Sequence, residues 1–492
     1  MQDEHRTAFL LQTVASELRD VTRLFRMDPA LWEETHQPHF IWHAWEEDGR
    51  FHCRFALGQE EHHRESPIPA CEDARIALLE QKRALKRLCK QTLYDLCKRL
   101  MGVTPPWGSL TGIRPTRLVY EAMEHGLSLE AACAQVGEIF DVSPEKRQLL
   151  RDIVEVQSTL PPPCEQEMDV YVGIPFCPTR CAYCSFVSAD VGRALKLIDP
   201  FLDALCRELA ATGAMLADAG LRVRTVYFGG GTPTTLSAPQ LDRLMGELAD
   251  HIDLSGCTEY TVEAGRPDTI TAEKLAVLAR RGCSRVSVNP QTMQDAVLER
   301  MGRAHRADDI LRAYALARES GIGCINMDLI AGLPGDSAEG FRASLEQVLD
   351  LGPENVTVHT LALKKGSRLM EEGGGLPSGA AVADMLDFAW AALRGAGQRP
   401  YYLYRQKYMS GSFENVGWCR PGAESLYNIC MMEELHTIVS LGGGGVTKLV
   451  DRATGYIERL ANAKYPQEYI QKIDAICADK GRVAQFYAAH GR

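Results

Sequence analysis

Between Asp169 and His359 the chain alternates short β-branched runs with helical runs, and no other feature constrains its fold as tightly. The predicted strands are Val170–Ile174, Val223–Phe228, Glu259–Glu263, Arg285–Asn289, Ile325–Ile330 and Val356–His359. Predicted helices fall between them, at Ile198–Ala217, Ala238–His251, Ala272–Arg281, Asp308–Glu319 and Ala338–Asp350. Such alternation argues for a parallel sheet with right-handed crossovers. Six strands are too few for a closed eight-unit barrel and enough for a curved, partial one. The expected fold is therefore α/β, a partial (β/α)6 barrel. Sheets of this kind gather function at the C-terminal ends of their strands.

The 492 residues leave room for about three domains. Three successive prolines, Pro161 to Pro163, mark residues 158–168 as an extended linker. Residues 1–157 then form an N-terminal α+β accessory domain. It opens on a helix, continues through Phe40–Trp45 and Arg50–Leu57 as a hairpin across Glu47-Asp48-Gly49, and carries a long helix, Asp73–Met101, with Gly102 as C-cap. On that helix Lys82, Arg83, Lys86, Arg87 and Lys90 share a face opposite Leu85 and Leu88. A solvated basic face explains it; so would an acidic partner such as RNA, a protein or a polycarboxylate substrate. The barrel occupies 169–375. Residues 376–492, with a helix at Ala380–Leu393, a strand at Tyr401–Tyr404 and a glycine run at Gly442–Gly445, read as an extension closing the barrel.

A net charge of -11 argues against a general nucleic-acid binder. No apolar run approaches the roughly 20 residues of a membrane span. The opening Met-Gln-Asp-Glu-His-Arg lacks the basic-then-apolar pattern of a signal peptide, so a cytoplasmic protein is expected. Sixteen cysteines in such a compartment are mostly small buried hydrophobes.

Three of them stand apart. Cys177, Cys181 and Cys184, spaced C-x3-C-x2-C, follow the first barrel strand. Structural zinc needs four ligands, and no second C-x2-C pair exists. A four-iron cube held by three thiolates keeps one iron open for a small molecule. After the second strand comes Gly229-Gly230-Gly231-Thr232-Pro233, whose glycines let backbone N–H groups approach a ligand. Glu263 ends the third strand, Gln291 and Arg303 follow the fourth, and Asp328 lies in the fifth. A carboxylate inside an apolar strand has a defined partner.

Together these residues resemble the radical S-adenosylmethionine (SAM) enzymes. The resemblance implies a 4Fe–4S cluster on Cys177, Cys181 and Cys184, with SAM on the open iron and its amino group cradled by the glycine loop. From Asp169 to about Lys365 the chain is similar, more narrowly, to the oxygen-independent coproporphyrinogen III oxidase (dehydrogenase) branch. It shares Tyr171-x-x-Ile-Pro-Phe-Cys, the glycine loop, Glu263, Gln291, Arg303 and Asp328. In that branch two SAM molecules bind. Tyr171, Gly230 and Glu263 would face the first, with Tyr171 and Glu263 catalytic. Tyr183, Gly231, Thr232, Gln291, Arg303, Asp328 and Ala362 would face the second. Pro106-Trp-Gly-Ser-Leu-Thr-Gly-Ile-Arg-Pro, Tyr404-Arg-Gln-Lys-Tyr-Met-Ser-Gly and Glu414-Asn-Val-Gly-Trp are similar to the HemZ-type subgroup. The implied reaction belongs to haem biosynthesis. A 5′-deoxyadenosyl radical takes a propionate hydrogen, and loss of CO2 and an electron leaves a vinyl. A tetrapyrrole substrate and an electron donor such as ferredoxin or flavodoxin are the implied partners.

The chain departs from that pattern in two places. Gly173 stands where the branch has histidine, and Phe186 where it has cysteine. The stretch Ala182-Tyr-Cys-Ser-Phe-Val-Ser resembles the haem-chaperone branch instead, whose His-Asn-x-x-Tyr-Trp motif is here Tyr427-Asn-Ile-Cys-Met-Met. A tetrapyrrole-binding chaperone and a radical SAM methyltransferase, with RNA as one substrate, therefore stay open. His359, His436 and the Tyr401-Tyr402-Tyr404 cluster are expected to be packing residues.

Overall fold

The computed structural model describes residues 14–25, 41–70, 74–112, 114–185, 189–364, 366–372 and 377–490. Phe40, Asp73, Phe186, Lys365, Gly375 and the opening hexapeptide lie outside them. The chain divides into two compact units, 1–151 with 405–407 and 411–413, and the remainder.

In the first unit three antiparallel strands, β1 (Ile41–Glu47), β2 (Arg50–Leu57) and β3 (Glu60–Pro67), follow a helix at Ala15–Leu24. Asp48 and Gly49 both take positive φ, 49° and 72°, so the expected hairpin closes on the turn that matches strand twist. Phe51, Cys53 and Phe55 alternate inward along β2 and pack on Leu85, Leu88 and Leu93 of the helix Ala74–Met101. The basic face of that helix is partly committed inside the unit. Arg83 pairs with Glu80 at 2.7 Å, Arg87 lies 5.6 Å over the Phe140 ring, and Lys90 donates to Thr111. Arg405 carries two of the family-like motifs together: it sits 5.3 Å over the Trp107 ring and donates to Leu110 O at 2.6 Å.

The second unit is built on an 11-stranded sheet. Its centre is β4 (Glu167–Ile174), β7 (Arg222–Gly230), β8 (Glu259–Glu263), β9 (Arg285–Ser287), β10 (Cys324–Ala331) and β11 (Asn355–Thr360), the six predicted strands, all parallel. A short pair, β5 (Phe176–Cys177) and β6 (Ala189–Asp190), brackets the cysteine loop. Val170, Val172, Ile174, Val226 and Phe228, which share one face of the sheet, have no exposed surface.

The C-terminal segment extends this sheet at both edges. β12 (Arg399–Tyr404) and β13 (Asn415–Cys419) add antiparallel strands beside β11. β14 (Ile438–Gly442) joins β4 as a seventh parallel strand, and β15 (Val446–Asp451) and β16 (Tyr456–Ala461) continue from it. With β12 and β16 as free edges the sheet stays open, a partial barrel. Helices at Pro466–Gln471, Ile473–Asp479 and Gly481–His490 end the chain. No helix among the described residues is long and apolar enough to cross a membrane.

Candidate active site

Cys177 closes β5, three residues beyond β4, at the C-terminal end of the sheet. The loop bearing Cys181 and Cys184 is fixed by its backbone. Cys184 N–H donates to Cys181 O, Ala182 N–H to Met301 O, and Leu369 N–H to Ala182 O, all within 3.2 Å. Ala182 is buried beside Val297, Met301, Leu333 and Leu369, which anchors the loop hydrophobically. Cys181 is buried, while Cys177 and Cys184 are half-buried.

Cations surround these sulfurs. Arg266 Nη1 lies 3.6 Å from Cys181 Sγ and 3.0 Å from Thr179 Oγ1. Its other edge is gripped by both oxygens of Asp268, at 3.0 and 2.9 Å. Burial opposes ionisation of Asp268, yet nearby His305 and the bonds to Arg266 hold the carboxyl well below the usual range. Arg303 is buried against Tyr183 OH, with Nε and Nη2 at 3.3 and 3.2 Å, and donates to Asn289 O at 2.7 Å. Lys364 feels Cys184, although burial is the larger influence and lowers its pKa. Neighbouring cations favour thiolate over thiol, and the thiolate is the form that binds iron. The donor set thus fits a cluster held by three cysteines.

Gly231 and Thr232 bind the chain to itself. Gly231 N–H donates to Ile174 O at 2.7 Å and Thr232 N–H to Phe176 O at 2.8 Å. These two amides are therefore spent on the β4–β5 turn, contrary to the expectation that the loop offers its N–H groups to a ligand. A cationic amino group needs acceptors in any case, and the loop's carbonyls are the atoms suited to it. Thr232 Oγ1 sits 3.4 Å from Cys177 Sγ. A Cβ on Gly231 would lie 2.5 Å from Phe176 O, one residue from Cys177. Gly231→Ala is expected to cost about 1–3 kcal/mol of local strain and to lower iron bound per reconstituted chain several-fold, with the circular dichroism spectrum unchanged.

The barrel's acids share one sheet face with three tyrosines. Tyr227 OH donates to Glu263 Oε1 at 2.6 Å. The Tyr227 ring stacks on Tyr427 at 4.3 Å, and Tyr171 stacks beside both at 6.2 and 6.4 Å. Burial raises the Glu263 pKa to about 7; the Tyr227 bond opposes this and Asp328 adds to it. Asp328 accepts from Asn326 at 2.7 Å and lies 3.5 Å from His359 Nε2. His359 Nδ1 is 3.4 Å from Tyr404 OH. So His359 and Tyr404 belong to this polar group, whereas Tyr401 and Tyr402 pack in the core as expected. Gln291 has φ of +68°, a left-handed conformation held by its backbone bonds to Asp328 and Ile330. Ala362, just past β11, pairs by backbone with Met409.

Tyr227 and Arg266 carry no signal in the sequence, Tyr427 shows only as part of a motif that departs from the haem-chaperone pattern, and His359 and Tyr404, expected to pack, stand beside Asp328 instead. The glycine at 173 also has a reason: a Cβ there would meet Gly443 O at 3.0 Å and the Tyr171 ring at 3.3 Å. The glycine run after β14 and the Tyr171 ring fill the space a larger side chain needs.

A partial barrel with three cysteines after its first strand defines a radical SAM protein, and residues 171–348 match the model of the Radical SAM superfamily. The protein from Bacillus subtilis named oxygen-independent coproporphyrinogen-III oxidase-like protein HemZ is 40% identical over 411 residues, 82% of each chain. The chain belongs to this HemZ-type, oxygen-independent coproporphyrinogen III oxidase-like family, whose members use a 4Fe–4S cluster and SAM. Heme chaperone HemW of the same organism is 31% identical over 307 residues, covering 60% of this chain and 76% of its own. Coproporphyrinogen III oxidase HemN from Escherichia coli, a radical SAM enzyme of known structure, aligns with a TM-score of 0.53 at 25% identity, over 63% of this chain and 70% of its own.

Proposed function

We propose that this protein oxidatively decarboxylates porphyrinogen propionates to vinyl groups by radical chemistry. The observation carrying this reading is the joint presence of a half-buried acid bonded to a tyrosine (Glu263, Tyr227) and of a buried cation bonded to a tyrosine of the cysteine loop (Arg303, Tyr183). Bound cluster and SAM supply a 5′-deoxyadenosyl radical. Cys177, Cys181 and Cys184 hold the cluster. Tyr227 occupies Oε1 of Glu263, and Oε2 is the oxygen left for an ammonium. Arg303, oriented by Tyr183 and Asn289, offers its charge to a carboxylate. The tyrosine stack excludes water from the face where a radical must survive. Incubating reconstituted protein anaerobically with SAM, dithionite and coproporphyrinogen III tests the reading. A product lighter by CO2 and two hydrogens per side chain is expected; no such product sinks it.

A second reading is a haem-binding chaperone, favoured by the similarity to HemW. Haem bound one to one without turnover would decide for it. A product heavier by a methyl group would instead mark a methyltransferase.

The Glu263 carboxyl gives this site a pH signature. It binds a cation only when deprotonated, and its pKa in the free protein is about 7. SAM affinity is expected to be level above pH 7 and to fall as pH drops below it, by up to about tenfold per unit. Glu263→Gln should bind SAM more weakly and with no such slope, read by anaerobic equilibrium binding across pH 5.5 to 8.5 (a range chosen as roughly one and a half units either side). An unchanged slope in the variant would remove Glu263 from the SAM site.

A further inference from the structure

Two residues before Tyr171 on β4, on the same sheet face, Asp169 meets His436 and Cys430. A carboxylate oxygen, an imidazole nitrogen and the thiol sulfur lie within 4.8 Å of one another. The three come from separate segments: β4, the helix Leu426–Glu433, and the turn before β14. All three are buried. His436 Nε2 is 2.6 Å from Asp169 Oδ2, and Thr225 Oγ1 donates to Asp169 Oδ1 at 2.5 Å.

Hydrogen bonding leaves this group incomplete. His436 Nδ1 is buried with no hydrogen-bond partner among the described residues. Among the described residues the Cys430 thiol has only Arg224 Nη1, at 3.9 Å. A buried polar atom without a partner calls for an explanation, and an ion is one of the few available. We propose that Asp169, Cys430 and His436 bind a zinc ion, separate from the iron–sulfur cluster.

Sulfur, imidazole and carboxylate are the ligand types zinc takes, and the three would fill all but one position of a tetrahedral site. Bond lengths of about 2.0–2.3 Å put tetrahedral ligand atoms roughly 3–4 Å apart. The atoms lie within 4.8 Å of one another, so shifts of about an ångström bring them to that spacing. Binding releases the Cys430 thiol proton. Arg224, itself held by Pro161 O at 2.8 Å, then donates to the metal-bound sulfur, as a supporting residue around a metal thiolate should. The helix carrying Cys430 is itself fixed, because Glu259 accepts from Ser425 Oγ and Leu426 N at its start, at 2.8 and 2.7 Å. An ion here would join the seventh parallel strand to the first barrel strand at the stability end of the sheet. It would also set Tyr427, three residues before Cys430, into its stack on Tyr227.

Cobalt(II) tests this, because its spectrum reports both thiolate ligation and coordination number. The full chain carrying Cys177→Ala, Cys181→Ala and Cys184→Ala removes the cluster iron from the measurement. After stripping with chelator it is titrated with Co2+. We expect one equivalent bound, with a thiolate-to-cobalt charge-transfer band and the intense visible bands of four-coordinate cobalt. Adding Cys430→Ser, a near-isosteric change, should abolish the charge-transfer band, and His436→Ala should weaken binding at least about tenfold. Less than a tenth of an equivalent bound, or a spectrum unchanged by Cys430→Ser, overturns the site. The readout does not depend on catalysis, so a failure here leaves the radical SAM reading untouched.

Discussion

Cys181→Ala should leave a folded protein that cleaves no SAM. Iron bound after anaerobic reconstitution should fall below a tenth of the wild-type amount. Reductive formation of methionine and 5′-deoxyadenosine should drop at least about a thousandfold, equivalent to roughly 4 kcal/mol of lost barrier reduction. The physical case is the connectivity of this one sulfur. It is the buried member of the triplet, it is the sulfur that Arg266 contacts, and Arg266 is pinned on its far side by Asp268. Two remaining thiolates cannot hold a cube and leave only one iron open. Cys164, the exposed cysteine next to the prolines, is the control: its replacement by alanine should change neither iron nor cleavage. Full SAM cleavage by Cys181→Ala would remove this residue from the ligand set. Arg266→Met should give an intermediate result, with iron bound but an altered cluster spectrum and midpoint potential.

Much of the parallel core could be read from the sequence because every second residue of each strand faces covering helices and has to be apolar. Val170, Val172 and Ile174, and Ile325, Met327 and Leu329, announce themselves that way. β3 could not be read so. Its sequence, Glu60-Glu-His-His-Arg-Glu-Ser-Pro, carries no apolar alternation, and it is a strand because β2 offers it a free edge and Gly58, at φ 62°, turns the chain. The seventh strand was hidden for another reason. Ile438–Gly442 is short and lies in a different part of the chain from its partner, and only tertiary pairing with Asp169–Gly173 makes it parallel. The Glu414-Asn-Val-Gly-Trp motif belongs to this same class of long-range device. Asn415 Oδ1 accepts from Thr360 N–H at 2.9 Å, and a Cβ on Gly417 would strike the Tyr402 ring. That stretch is spelled by the packing of β13, not by chemistry at the cluster.

The site was legible to a different degree. The cysteines, Glu263, Arg303 and Asp328 stood out because charge and sulfur in a strand, or in the loops that follow one, have few structural uses. Their partners did not. Tyr227 sits in an ordinary β-strand run, and Tyr427 is 200 residues away from it in the chain while stacking on its ring. Arg266 reads as one more basic residue until Asp268 and Cys181 are seen on its two edges. First contacts of a cofactor carry unusual residue types; the residues that position them are common ones in uncommon places.

The largest stability effect is expected at Glu208, which touches none of the three cluster cysteines. This carboxylate is wholly buried in the helix Val191–Asp218 and collects four donors from the C-terminal segment. Lys480 Nζ lies 2.7 Å away, Gly442 N–H and Asn462 Nδ2 each 2.8 Å, and Tyr469 OH completes the set. Lys480 in turn donates to Ser440 O at 2.8 Å. One acid thus ties β14 and the terminal helices to the barrel's first helix. Glu208→Ala removes the acceptor and leaves the Lys480 ammonium buried without a counter-charge, a change that costs about 3–5 kcal/mol. Hydrogen exchange over residues 466–490 should speed up by two orders of magnitude or more, since about 1.4 kcal/mol is a factor of ten. Limited proteolysis should cut the same segment first. The pairing makes a sharper demand. If the charge left on Lys480 is the cause, Glu208→Met with Lys480→Met should recover most of the loss, because a packed apolar pair replaces a buried ion pair at little cost. A double variant as labile as Glu208→Ala would locate the cost in the lost bonds to Gly442, Asn462 and Tyr469 instead, and with it the reason this strand stays parallel to β4.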